Sequence, residues 1–165
     1  MANIHVTVDD AEINAALKQL ADKSANMQPA MEGVAQVTKS NILFGFRGSV
    51  SPYGRRWLPL KLRKGEPLVD TGTLRSSITL RSTKSTAEIG TNKIQAPIHQ
   101  FGGVIRAKHA PFLVFKTPTG YAKKKSVRIP ARPFMPIRSG RLDLPKDWAT
   151  DVLSVITTHL GLQEG

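Results

Sequence analysis

The chain has 165 residues, with 24 Lys and Arg against 12 Asp and Glu, a formal charge of +12 and no cysteine. One domain of this length can bury about 70% of the surface its unfolded chain exposes, so a core forms without staples. The missing cysteines exclude a disulfide framework, thiol catalysis and Cys-ligated metal, and no secretory leader or apolar run of about 18 residues is visible, so a soluble chain made in the cytoplasm without membrane contact is expected.

The charge is unevenly placed. Residues 1–32 carry two basic and five acidic side chains, and residues 142–165 carry one and four, a net −3 at each end. The middle, 33–141, holds the other 21 basic residues against Glu66, Asp70 and Glu88, a net +18. Such polarity points to an anionic partner, nucleic acid or acidic protein, and says nothing of fold.

In chain order, Asn3–Val8 alternates as a short strand would. Asp9 or Asp10 then suits the start of a helix whose stripe is Ile13, Ala16, Leu17, Leu20 and Ala21, positions that usually face a core. Pro29 suits the first turn of a second helix, with Met31, Val34, Ala35, Val37, Thr38 and Ile42 on one face and an exit at Phe44–Gly48. Together they predict a helical hairpin.

Residues 49–70 lose periodicity and read as a long basic loop, with Tyr53 and Trp57 among Arg55, Arg56, Lys61, Arg63 and Lys64. Aromatic anchors among five positive charges favour a loop that orders on a partner; the alternative is that Trp57, between prolines, pins the loop to the core. Asp70–Arg75 reads as a cap and turn into the strand Ser77–Ser82, with Thr86–Gly90 as its hairpin partner. A short helix is expected over Ile94–Phe101, stopped by Gly102 and Gly103. Phe112–Phe115 reads as a buried strand beside Ser126–Ile129, with Thr117–Lys125, including Lys123, Lys124 and Lys125, as a basic hairpin tip. Pro130, Pro133 and Pro136 end the sheet. Asp143 is placed to cap a last helix striped by Trp148, Val152, Val155, Ile156, His159 and Leu160.

The whole reads as one α+β domain over 1–165: a strand and helical hairpin (1–48), an extended loop (49–70), a β-rich core (71–137) and a C-terminal helix (142–162). The helices pack on a small antiparallel sheet.

Catalytic patterns are missing. There is no phosphate-cradling glycine loop, no G-x-S-x-G elbow and no H-E-x-x-H, and the four histidines are scattered. No cofactor or metal is expected and no enzyme is read here. His99 is the one histidine to watch, as a helix residue or as a base. The basic runs suit phosphate neutralisation or a solvated face, without a recognition helix for sequence readout.

Several segments together resemble a known family: Ser51-Pro52-Tyr53-Gly54 with Trp57; Leu68–Ile78, containing Thr71, Gly72 and Leu74; Glu88–Asn92; Ile98-His99-Gln100-Phe101-Gly102-Gly103; and Ile129-Pro130-Ala131-Arg132-Pro133-Phe134. In this order they are similar to the phage virion morphogenesis (tail completion) family of Mu-like tailed phages, over about residues 30–140. One departure is Ile94-Gln95-Ala96-Pro97, where the family usually has a Tyr-Ala-Ala-like start. The resemblance implies a structural protein of the virion head–tail junction, present in the host cytoplasm during assembly. It also implies a homo-oligomeric ring, a hexamer or dodecamer, joined to other junction and tail proteins, with no catalytic residue. Packaged DNA is a further contact, made non-specifically. Arg55, Arg56, Trp57, Lys61, Arg63, Lys64, Lys123–Lys125 and Arg132 are the candidates to face a neighbouring subunit or DNA.

Overall fold

The structure, a computed structural model, describes residues 10–61 and 64–162. The predicted strand Asn3–Val8 and the candidate Arg63 lie outside the described residues. Two helices open the described chain, α1 (Ala11–Ala25) and α2 (Gln28–Gly48), followed by the short α3 (Thr73–Ser76) and α4 (Ala96–Phe101). A fifth, α5 (Lys146–Leu160), closes it. Eight short strands lie between: β1 (Thr79–Ser82), β2 (Ala87–Gly90), β3 (Gly103–Arg106), β4 (Leu113–Thr117), β5 (Gly120–Lys124), β6 (Ser126–Ile129), β7 (Ile137–Arg138) and β8 (Arg141–Leu142). They pair as four separate two-stranded antiparallel units, β1–β2, β3–β6, β4–β5 and β7–β8. The fold is α+β.

Helix α2 is the spine. Ala30, Ala35, Thr38, Ile42 and Phe46 repeat at helical spacing and are buried; of the expected stripe Ala35, Thr38 and Ile42 are among them, while Met31, Val34 and Val37 are half-buried. Its Pro29 sits in the first turn, where no amide hydrogen is needed. It packs on α5 along one side and on the β1–β2 hairpin along another. The helices approach closely at Gly33, where a Cβ would stand 2.7 Å from Val155 Cγ1. Asn41 Nδ2 adds a hydrogen bond to Asp151 Oδ2 at 2.8 Å.

At the C-terminal end of α2 lies the core: Ile42, Phe46, Trp57, Leu74, Ile78, Ala96, Phe134 and Met135, with Trp148 packed on its edge. Phe46 meets the edge of Trp57 at 5.5 Å between centroids and Phe134 at the same distance. Offset and edge-on contacts of this kind are the favoured aromatic geometries.

Four expectations are corrected. The stripe of α1 is not core: no residue of α1 is buried, and Ile13 and Leu17 are more than half exposed. Helical periodicity marks an apolar face, and this chain covers it only partly, because α1 rests on α5. His159 ties that contact, its Nε2–H donating to the carbonyls of Lys23 and Asn26. Second, the residues 112–115 do not pair with 126–129. Strand β6 pairs with β3, with Val104 opposite Arg128, and β4 pairs with β5, with Phe115 opposite Ala122. Third, the basic segment is therefore no loose tip: Lys123 and Lys124 are strand residues and the turn is at Pro118–Thr119. Fourth, Asp143 does not cap α5, whose N-cap is Pro145. Its carboxylate pairs with Arg138 Nε at 3.1 Å instead.

Candidate interaction surface

Of the motif residues Leu74, Gln100 and Phe134 are buried while Thr71, Phe101 and Gly103 are exposed; of the described basic candidates all but Arg132 are exposed. Gln100, on α4, is buried, and its amide serves four backbone groups at once. Oε1 accepts from the amides of Phe134 and Met135, both at 3.0 Å, while Nε2 donates to the carbonyls of Met135 and Ile137 at 2.9 and 3.3 Å. Residues 134–136 lie outside the strands, so one glutamine supplies the partners a strand would. Gly102 (φ 72°) ends α4 and brings Gly103 into β3.

Arg132 and Trp57 were both candidates for an outward role, and both are buried. Arg132 Nε donates to the carbonyl of Leu58 at 2.9 Å and Nη2 to that of Pro59 at 3.3 Å. Trp57 Nε1 donates to the carbonyl of Pro133 at 2.8 Å. The pair thus fastens the loop after α2 to the segment 130–134, and of the two roles open to the Trp57 ring, pinning the loop is the one it fills. Tyr53 is also engaged: its hydroxyl donates to Asp143 O at 3.3 Å and its ring lies 4.3 Å from the Arg138 guanidinium carbon. Burial, and then the charge of Asp143, push its pKa up. The stretch 49–57 is tightly wound, with Trp57 N bonded to Ser49 O and Ser51 N to Arg55 O.

His99 faces inward beside this lock. Its Nδ1 is buried without a hydrogen-bond partner, and burial together with the Arg132 charge lowers its pKa. Two open surface clefts are lined by Thr79–Arg81 with Glu88–Gly90, and by Ser40, Asn41, Leu43, Phe44 and Arg47. Neither brings Asp70, Glu88 and His99 together. Among the described residues no cluster of His, Asp and Glu could hold a metal ion, and no helix is long and apolar enough to cross a membrane.

What remains outside is basic. Arg55, Arg56, Lys61 and Lys64 are exposed on the loop after α2. A second group lies on a ribbon that sequence reading missed as a unit. Strands β3 and β6 continue into β4 and β5 through the bond from Ala107 N to Lys125 O, leaving 108–112 as an outward bulge. Residues 103–129 contain seven Lys or Arg and no Asp or Glu, and all seven are exposed. The outer strands β4 and β5 pack chiefly on one another. Counting the register from β3 outward would have revealed this ribbon, but β5 ends on Lys123 and Lys124, which are poor strand formers.

The profile of the phage virion morphogenesis family matches residues 8–161, nearly the whole chain. The chain belongs to that family. Within this family it is similar to Mu-like prophage FluMu G protein 2 of Haemophilus influenzae, 37% identical over 133 residues, covering 80% of this chain and 83% of that protein. No solved structure matches the chain significantly. Within the chain, Leu74, Gln100 and Phe134 of the motif segments are buried and the basic side chains of the ribbon are exposed.

Proposed function

We propose that this morphogenesis protein is a structural component of the head–tail junction of a tailed phage, completing tails by assembling into a ring of identical subunits. One observation carries the reading. Among the described residues, fourteen large apolar side chains are exposed and ten apolar residues form the buried core. An isolated domain of this size rarely leaves so much apolar surface uncovered. In a ring, one face of each subunit meets a different face of the next, so a chain with acidic ends and a basic middle suits head-to-tail joints.

Light scattering on the purified chain, followed by negative-stain imaging, tests this. The expected result is a closed oligomer of fixed number that attaches to tails or filled heads. A strict monomer at high concentration that also fails to join tails would sink the reading. A second reading, non-specific DNA contact, draws on the acid-free ribbon. It expects log K on duplex DNA to fall with log salt by about 0.9 per phosphate neutralised.

A further inference from the structure

We propose that the ribbon 103–129 is a docking arm that lies on the exposed α1 face of a second copy of this chain, forming the joint between neighbours. The inference rests on the ring reading above and names the surfaces that make it.

The arm is built like half of a protein interface. Residues directly opposite in an antiparallel pair share a face. Val114 stands opposite Lys123 and Lys116 opposite Tyr121, so one face of the β4–β5 unit alternates cations with apolar groups. All four are exposed, Tyr121 at 76% and Val114 at 59%. Further in, Val104, Ile105 and Phe112 are exposed as well. From Gly120 to Ile129 the strand path runs ten residues, about 30 Å of extended chain. A two-stranded ribbon of that length is marginal in water unless its face is covered. Phosphate backbones would use the cations and leave the apolar groups in water. A partner of mixed apolar and acidic character uses both.

Such a surface exists on this chain. Ile13 and Leu17 lie one turn apart on α1, 54% and 59% exposed, beside the exposed acids Asp10 and Glu12. Elsewhere the described chain is mostly basic: residues 33–102 and 130–141 carry a large excess of Lys and Arg. Segment 10–32, with four acidic and two basic residues, and segment 142–162, with three and one, are the net acidic stretches. The arm would be repelled by the rest of a second copy and attracted to its helical side. This selects one head-to-tail register, since like charges suppress the alternatives.

A charge exchange in the full-length chain tests the joint. The arm variant is Lys123→Glu/Lys124→Glu/Lys125→Glu, and the helix variant is Asp10→Lys/Glu12→Lys. All five side chains are exposed, and Asp10 makes no side-chain cap bond. Circular dichroism checks that each keeps the wild-type fold. Each variant alone is expected to run as a monomer at concentrations where wild type assembles. Mixed one to one, every arm meets a helix of opposite charge, and the wild-type mass should return. The milder Lys123→Gln/Lys124→Gln/Lys125→Gln variant should raise the assembly midpoint at least tenfold, and it serves if the Glu triple unfolds. Either variant assembling like wild type, or a mixture that stays monomeric, overturns the arm joint while leaving the ring reading standing. A monomeric wild type overturns both. An arm variant that keeps wild-type mass but loses salt-sensitive retention of a duplex oligonucleotide assigns the ribbon to nucleic acid and ends the proposal.

Discussion

The indole N–H of Trp57 donates to the carbonyl of Pro133 at 2.8 Å, joining positions 76 residues apart. Around that bond the edge of Trp57 contacts Phe46, and Phe46 contacts Phe134. The loop after α2 is held by this contact and by Arg132 on the carbonyls of Leu58 and Pro59. Replacing Trp57 by Phe keeps an aromatic ring against Phe46 and removes the donor together with part of the ring volume. The expected loss is about 1–3 kcal/mol, the cost of stranding a buried carbonyl. Trp57→Ala should lose about 3–5 kcal/mol, because the ring volume goes too. Urea unfolding followed by circular dichroism reads both; a Phe variant with the wild-type midpoint would show that the hydrogen bond contributes nothing.

Gln100 carries more than Trp57. Its amide completes four backbone groups of Phe134, Met135 and Ile137 in a buried setting. Gln100→Leu conserves volume, strands the amides of Phe134 and Met135, and takes one donor each from the carbonyls of Met135 and Ile137, the first of which keeps its bond from Ile137 N. A loss of about 3 kcal/mol or more is expected, larger than for Trp57→Phe, since each unmet buried group costs about 1–3 kcal/mol. Gln100→Glu retains the acceptor and should fall between. Guanidinium unfolding of the two variants orders them, and a Leu variant within about 1 kcal/mol of wild type would mean that water replaces the amide.

How far these roles could be seen beforehand differs from residue to residue. Helix α2 was legible from Pro29 and its stripe, and the β1–β2 hairpin from the alternation of Ser77–Ser82, because both patterns are local. The glycines at 102 and 103 marked the end of α4 for the same reason. By contrast, nothing local tells whether Trp57 stacks on a partner or seals a core; that depends on where Pro133 arrives. The pairing of β6 with β3 was lost because β3 is only four residues long, while the apolar run ending at Phe115 offered a stronger pattern nearby. Ile13 and Leu17 mark the opposite case. Their period was read correctly as a helix, yet period alone cannot say whether the same chain covers the stripe.

His99 links stability to pH. Its Nδ1 has no acceptor, and an imidazolium there would need one while standing near the Arg132 charge. Burial first, then that charge, hold its pKa below the ordinary histidine value. The folded state therefore takes up this proton at lower pH than the unfolded chain does. The contribution is complete above the unfolded value near 6.5 and is lost as pH falls from there through the lowered folded value. Wild type should lose stability between pH 7.5 and pH 5, and His99→Gln should lose less over the same interval. Urea midpoints at the two pH values give the comparison. Equal pH dependence in both chains would remove His99 as the cause.

Gly102 is the sharpest test of how the two motif segments fit together. It has φ 72°, which L side chains rarely adopt, and a Cβ there would lie 2.7 Å from Ala131 N and 3.1 Å from Ile129 O. Both obstacles are backbone, held in place by the β3–β6 ladder and by the bond from Arg132 N to His99 O. Neither can turn aside as a side chain would. Gly102→Ala is expected to cost about 2–5 kcal/mol, combining left-handed strain with overpacking. Gly33 supplies the contrast. A Cβ there meets Val155 Cγ1 at 2.7 Å, a side chain and not backbone, and its φ is not positive. Inside a helix Ala also gains about 1 kcal/mol over Gly, so Gly33→Ala should stay within about 1 kcal/mol of wild type. Thermal midpoints decide it: if the two alanines cost the same, the close approach of Gly102 to the 129–131 backbone is not what fixes that turn.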